Sequence, residues 1–223
     1  AGADVTHMEL SSQFRCSGSD GYLAWLDNTL GIRETANAAL VEGEFDFRIV
    51  DSPTELHELI AARNGANKAR VVAGYCWDWV SRRNPSAFDI EFPEFGYARR
   101  WNLDKDGSLW IMAPDSIDEV GCIHTCQGLE LDYVGVIVGA DLRGTDGSLT
   151  TDPNRRSWMD KSIRGWKKQA KADPAGTLQC LDRIIRNTYR TLMTRGMKGC
   201  YVYFVDDAAR EHFARALESG DTR

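Results

Sequence analysis

The sequence predicts an α/β fold with a mainly parallel sheet and helices on its faces, on three observations. Residues 134–138 (VGVIV) are a continuous apolar run, the pattern of a strand buried on both faces of a parallel sheet. Between residues 7 and 76, short apolar segments alternate with helical periodicity in the order β-α-β-α-β. Near the C-terminus a long amphipathic stretch leads into a second apolar segment, CYVYFV at 200–205, repeating the helix-then-strand unit.

Taken in order, residues 7–15 (HMELSSQFR) read as a short strand with a polar tip, and 22–30 as an amphipathic helix with Leu23, Leu26 and Leu30 on one face. Residues 45–50 are a second strand. Ser52 and Pro53 supply an N-cap and a first helical position, and that helix runs to about Arg63 and stops near Gly65. Residues 69–76 (ARVVAGYC) form a third strand, apolar enough to be central. From 77 to 118 the character changes, because four of the seven tryptophans fall there. Asp106-Gly107 marks a hairpin turn between 99–103 and 108–113, and the segment reads as an extended excursion packed as a flap.

The strand at 134–138 comes next, preceded by the polar turn His124 to Glu130. A polar, turn-rich insertion follows at 141–176. Residues 177–195 give the longest helix, with Leu178, Leu181, Ile185 and Leu192 near one face and Gly196 and Gly199 at its end. The strand at 200–205 and a last helix capped by Asp206 or Asp207 complete the chain.

With 223 residues and 43% hydrophobic content the chain can bury a sizeable core, which excludes disordered and fibrous classes. A net charge of −6 argues against coating nucleic acid by charge alone, yet leaves room for a local basic patch. Six cysteines in a chain of this size read as reduced thiols rather than disulfide staples. Cys122-x-His124-x-Cys126 has the spacing of half a zinc site, but no second ligand pair follows, and no metal is assigned. Neither a membrane-spanning run nor a targeting segment is present, so the expected location is cytoplasmic, with no membrane partner. The opening Ala1-Gly2-Ala3 runs within a few residues into a core-like element, as in a fragment of something longer.

Four groups of residues carry candidate chemistry. Gln13 and Arg15, His124 to Glu130, and Thr194 and Arg195 lie at strand or helix ends that a parallel sheet can bring to one edge. Arginine is suited to phosphate oxygens, being permanently charged and bidentate. Singly, each has an ordinary reading: a surface arginine, a turn carboxylate, a cation offsetting its own helix C-terminus. The fourth group lies at 154–171, where Arg155, Arg156, Lys161, Arg164, Lys167, Lys168 and Lys171 face Asp160 as the only acid, with Trp158 and Trp166 interleaved. That mixture suits a nucleic-acid backbone and stacked bases, and equally a solvated helix whose tryptophans tuck into the core.

Taken together, LSSQFR at 10–15, HTCQGLELDYVGVIVG at 124–139 and LMTRG at 192–196 resemble, in order, motifs IV, V and VI of the second RecA-like domain of superfamily 1 helicases. RVVAGYCWDW, RWNL, HTCQGLE and RNTYRTLMTRGMKG further resemble the schlafen-group-3-like family of uncharacterised bacterial DNA/RNA helicases, over nearly the whole chain. Cys122 stands where helicases often carry a threonine, and Tyr189 is offset by one residue from the usual aromatic.

The resemblance implies a three-layer RecA-like domain of the P-loop NTPase type, one C-terminal helicase domain over 1–223. Arg15 and Arg195 would be arginine fingers reaching the γ-phosphate of ATP on a neighbouring N-terminal RecA-like domain. Gln13, Gly128 and Glu130 would border the nucleotide. His124, Thr125 and Gln127 would couple it to single-stranded nucleic acid, with Lys161, Arg164, Lys167 and Lys168 as further contacts. No G-x-x-x-x-G-K-[ST] loop occurs, so ATP and Mg²⁺ are expected to need the other domain, and this chain alone is expected to bind neither and to be inactive. The alternative is a non-catalytic nucleic-acid-binding module of the same fold.

Overall fold

The structure, a computed structural model, describes residues 20–35, 39–40, 43, 45–65, 68–102, 110–111, 113–125 and 130–219. The strand expected at 7–15 and the turn at Asp106-Gly107 lie outside them.

Among the described residues seven strands form one sheet. Its order is β1 (Asp46–Ile49), β9 (Gly196–Phe204), β6 (Leu131–Val138), β2 (Ala69–Ala73), β5 (Glu119–Gly121), β4 (Tyr97–Trp101) and β3 (Ile90–Phe92). Every neighbouring pair is parallel except the edge pair β3–β4. Strand alternation sorts the apolar side chains onto two faces. Val134, Val136, Val138, Cys200, Val202 and Phe204 join one core with helices α1 (Asp20–Thr29), α4 (Pro174–Met193) and α5 (Asp207–Glu218). Ile137, Val71, Ala73, Tyr201 and Tyr203 join a second core with Leu56 and Ile60 of α2 (Pro53–Ala62). The result is a mainly parallel sheet with helices on both faces, the expected class.

Local signals explain most boundaries. Ser52 caps α2 by accepting from Glu55 N at 3.0 Å, with Pro53 first in the helix, a cap of about 1 kcal/mol. Asp206 caps α5 in the same way through Ala209 N. Helix α4 starts three residues before the expected Thr177, because Asp173 accepts from Gly176 N and Pro174 holds the first position. Leu181, Ile185 and Leu192 are buried as expected, whereas Leu178 is half exposed at 50%, in the solvent-facing first turns. Strand β9 begins at Gly196, directly after the helix. Gly199 is therefore a strand residue rather than part of a helix stop.

The tryptophan-rich excursion is not a flap. Its segments β4 and β3 extend the main sheet, and β5, which the sequence pattern did not reveal, joins them to the central β2. Asp89 ties this edge down, accepting from Ser81 N (2.7 Å), Ser81 Oγ (2.6 Å) and Trp101 N (2.9 Å). Trp110 and Ile111 lie in a helical turn rather than a strand, with Trp110 Nε1 donating to Glu119 at 2.8 Å.

In the insertion, β7 (Leu142–Thr145) and β8 (Ser148–Thr151) form an antiparallel hairpin. Its two-residue turn is Asp146-Gly147, both at positive φ (48° and 81°), the twist that matches a hairpin. Short helical turns and the helix α3 (Trp166–Ala172) follow. No helix among the described residues is long and apolar enough to cross a membrane.

His57 on α2 is buried near Tyr97, its Nδ1 3.4 Å from the phenol oxygen. Burial, with the Arg99 charge adding to it, pushes its imidazole from 6.5 down to about 4. The unfolded chain takes up this proton near 6.5, so the stability tied to neutral His57 is full above that pH. It is lost as pH falls towards 4, by up to about 3 kcal/mol. Unfolding titrations at about pH 7 and about pH 4.5 should show His57→Gln losing clearly less stability across this window than the wild type.

Candidate functional site

The expected site residues divide between the two ends of the parallel sheet. At the amino ends of the strands, Glu130 is exposed and leads directly into β6, while Thr194 and Arg195 close α4 and lead directly into β9. Leu131 N donates to Arg195 O at 3.1 Å, and Leu131 pairs with Gly196. The two sequence stretches are thus shoulder to shoulder. Gly196 is required there, because a Cβ would lie 2.1 Å from the Gly199 carbonyl oxygen. Thr194 and Arg195 are buried, Arg195 to 5% exposure.

At the carboxyl ends stand His124 and Thr125. Gly121 of β5 is level with Val72 of β2, so the turn at 122–125 projects beyond both strands. Thr125 Oγ1 closes the turn, accepting from Cys122 N and donating to Cys122 O, both at 2.9 Å. Cys122 thus anchors the turn through its backbone and buries its thiol. His124 is exposed, its ring edge-on to Tyr75 with centroids 6.3 Å apart. Gln13, Arg15, Cys126, Gln127 and Gly128 lie outside the described residues. Among the described residues no group of three or more His, Cys, Asp or Glu side chains could hold a metal ion.

The basic stretch divides as well. Arg156 does not belong to any surface patch: its side chain is fully buried, 2.8 Å from Asp160 and 3.7 Å from Asp141. Tyr189 donates to Asp141 and accepts from Gly139 N at 2.9 Å, so the insertion is fastened to α4 and to the end of β6. Burial pushes the Asp141 carboxyl above its ordinary range, against the pull of Arg156 and Tyr189. Burial likewise holds the Cys76 thiol and the Tyr189 phenol well above their ordinary values.

Lys161, Arg164, Lys167 and Lys168 are exposed. Trp158 is 72% exposed, and its Nε1 donates to Asp78 Oδ2 at 3.1 Å. Trp166 is half buried, with Lys167 Nζ 5.7 Å from its ring centre. Trp158 therefore does not tuck into the core. A cleft of about 540 Å³ opens between this segment and the loop after β2, with Arg164, Lys167, Trp158, Trp166, Arg156 and Asp78 among its walls. Lys161 and Lys168 are not among them. Asp78 was missed in the sequence, although its place beyond the carboxyl end of a central parallel strand is where such sheets keep ligands.

A family model described as "Schlafen group 3, DNA/RNA helicase domain" matches residues 1–206. An uncharacterized protein of Saccharomyces cerevisiae is 28% identical over 221 residues, covering 92% of this chain and 47% of its own length. This chain thus spans about half the length of that curated relative, a fungal protein, and nothing in these matches assigns it to a bacterium. No solved structure matches.

Proposed function

The chain belongs to the Schlafen group 3 DNA/RNA helicase domain family, and on that premise we propose that it is the second, C-terminal RecA-like domain of an ATP-dependent helicase or translocase. One observation carries this reading: Glu130 and Arg195 sit beside each other at the amino ends of two neighbouring parallel strands, fixed by the hydrogen bond from Leu131 N to Arg195 O. A carboxylate for a ribose hydroxyl and a permanent cation for a phosphate are what the far wall of a nucleotide cleft needs.

The residues present fit only half of such a site. No Walker-type loop occurs in the sequence, and among the described residues no carboxylate cluster is arranged for a metal ion. ATP and Mg²⁺ would be held mainly by the neighbouring domain, and ATP would supply the γ-phosphate whose transfer to water drives the cycle. Arg195 would stabilise charge on that phosphate, and because it is buried here, reaching a second domain requires its guanidinium to turn outward. Arg15 would be a second arginine finger, and Gln13 and Gly128 would border the nucleotide, as the helicase resemblance implies. In this reading His124 and Thr125, with Gln127, would couple a bound strand to the nucleotide.

The test compares ATP hydrolysis by the isolated 223-residue chain with that of the full-length protein, with and without single-stranded nucleic acid. Activity confined to the full-length protein is the expected result. Hydrolysis by the isolated chain would overturn the division of the site. A second reading, a nucleic-acid-binding module without catalysis, is favoured by the exposed Trp158 and the basic cleft beside it.

A further inference from the structure

We propose that the cleft beyond the carboxyl end of β2 takes one unstacked nucleotide of a single strand, its base against Trp158 and its phosphate on Arg164 and Lys167. This inference rests on the nucleic-acid part of the reading above and gives it a location and a stoichiometry.

The indole of Trp158 is presented to solvent but is not loose. Its Nε1 donates to Asp78 Oδ2 at 3.1 Å, and the preceding Ser157 donates from Oγ to Asp78 Oδ1 (2.5 Å) and from N to Tyr75 O (3.0 Å). A large apolar ring left 72% exposed, yet fixed at its polar end and through its backbone, has already lost the freedom that stacking a base would remove. Any base offers a π-face to such a platform, so stacking there tolerates sequence.

Charge selects the size of the ligand. The walls carry three cations, Arg156, Arg164 and Lys167, against two carboxylates, Asp78 and Asp160, a surplus of one. Arg156 is held in the buried group with Asp160 and Asp141, so at the mouth the exposed Arg164 and Lys167 stand against Asp78 alone, which leaves the same surplus of one. One phosphodiester charge matches that surplus, whereas a free triphosphate would place several negative charges beside Asp78 and Asp160. A volume of about 540 Å³ is in the range of small-ligand sites and holds a single nucleotide. The exposed Lys161 and Lys168, outside the cleft walls, are left for flanking phosphates. This cleft lies at the opposite end of the sheet from Arg195 and Glu130, so strand and ATP need not compete.

The experiment titrates the 223-residue chain into labelled single strands, DNA and RNA, of about 12 nucleotides over a range of salt. Trp158→Ala is expected to weaken binding about tenfold with an unchanged salt slope, and Trp158→Phe to keep most of the affinity. Lys161→Glu with Lys168→Glu is expected to lower the salt slope by about one to two. ATP should not displace the strand. If Trp158→Ala binds like the wild type while the lysine reversals weaken binding, the cleft assignment is overturned and the nucleic-acid reading stands. Absence of any salt-dependent binding by the wild type overturns both.

Discussion

Arg195→Ala in the full-length protein is expected to lower nucleic-acid-stimulated ATP hydrolysis on the order of 10³-fold or more. Such a loss is large because the guanidinium acts on charge that develops as the phosphoryl group moves, inside a closed cleft where water does not screen it. Arg195→Lys should recover little, since an ammonium lacks the planar fork that holds two phosphate oxygens at once. The side chain is buried in this structure, so a loss of fold must be told apart from a loss of chemistry. An unchanged unfolding midpoint and unchanged affinity for single strands would do so. Hydrolysis at the wild-type rate would contradict the assignment.

The second large effect is on stability. Arg156→Met is expected to destabilise the chain by about 3–5 kcal/mol, because Asp141 and Asp160 would remain buried without their cation. Burial already pushes Asp141 upward, and removing Arg156 pushes it further. A carboxyl with a raised folded pKa contributes stability through its protonated form, fully present below the unfolded value and lost as pH rises through the folded one. The deficit should therefore be smaller in mild acid than at neutral pH. Adding Asp141→Asn should recover part of it. Denaturant titration at both pH values measures this, and a loss below about 1 kcal/mol at neutral pH would contradict the role given to Arg156. The cleft should suffer in parallel, since Arg156 anchors the segment that presents Trp158.

What could be read from the sequence followed from how local each signal is. The continuous run Val134 to Val138 announces a strand buried on both faces by itself, and Ser52-Pro53 and Asp206 announce helix starts. Strand β5 has three residues and no alternation to read, and it exists because Val120 and Gly121 pair with Val71 and Val72 of the central strand. The tryptophans at 77–118 suggested a flap because aromatic density says burial but not against what. Trp101 is buried in the cluster that also holds Tyr75 and Phe92. The Asp-Gly turn signal was present at 146–147, where it makes a hairpin. Arg156 illustrates the limit most clearly: sequence counts it among seven neighbouring cations, while only the fold shows it buried between Asp160 and Asp141, the latter from the start of the insertion. For the candidate site, the sequence pattern groups Gln13 and Arg15, His124 to Glu130, and Thr194 and Arg195 at one edge; β6–β9 pairing sets Glu130 and Arg195 side by side, whereas His124 and Thr125 stand at the opposite end of the strands and Gln13 and Arg15 lie outside the described residues.

The most direct test of the claim that this chain forms the second wall of an ATP cleft is the binding of a transition-state analogue, ADP with aluminium fluoride, by the full-length protein and its Arg195→Ala variant. The wild type should bind the analogue at least about 10²-fold more tightly than ADP alone, and the variant should lose most of that gain while binding ADP unchanged. Equal analogue affinity in the two proteins would contradict it.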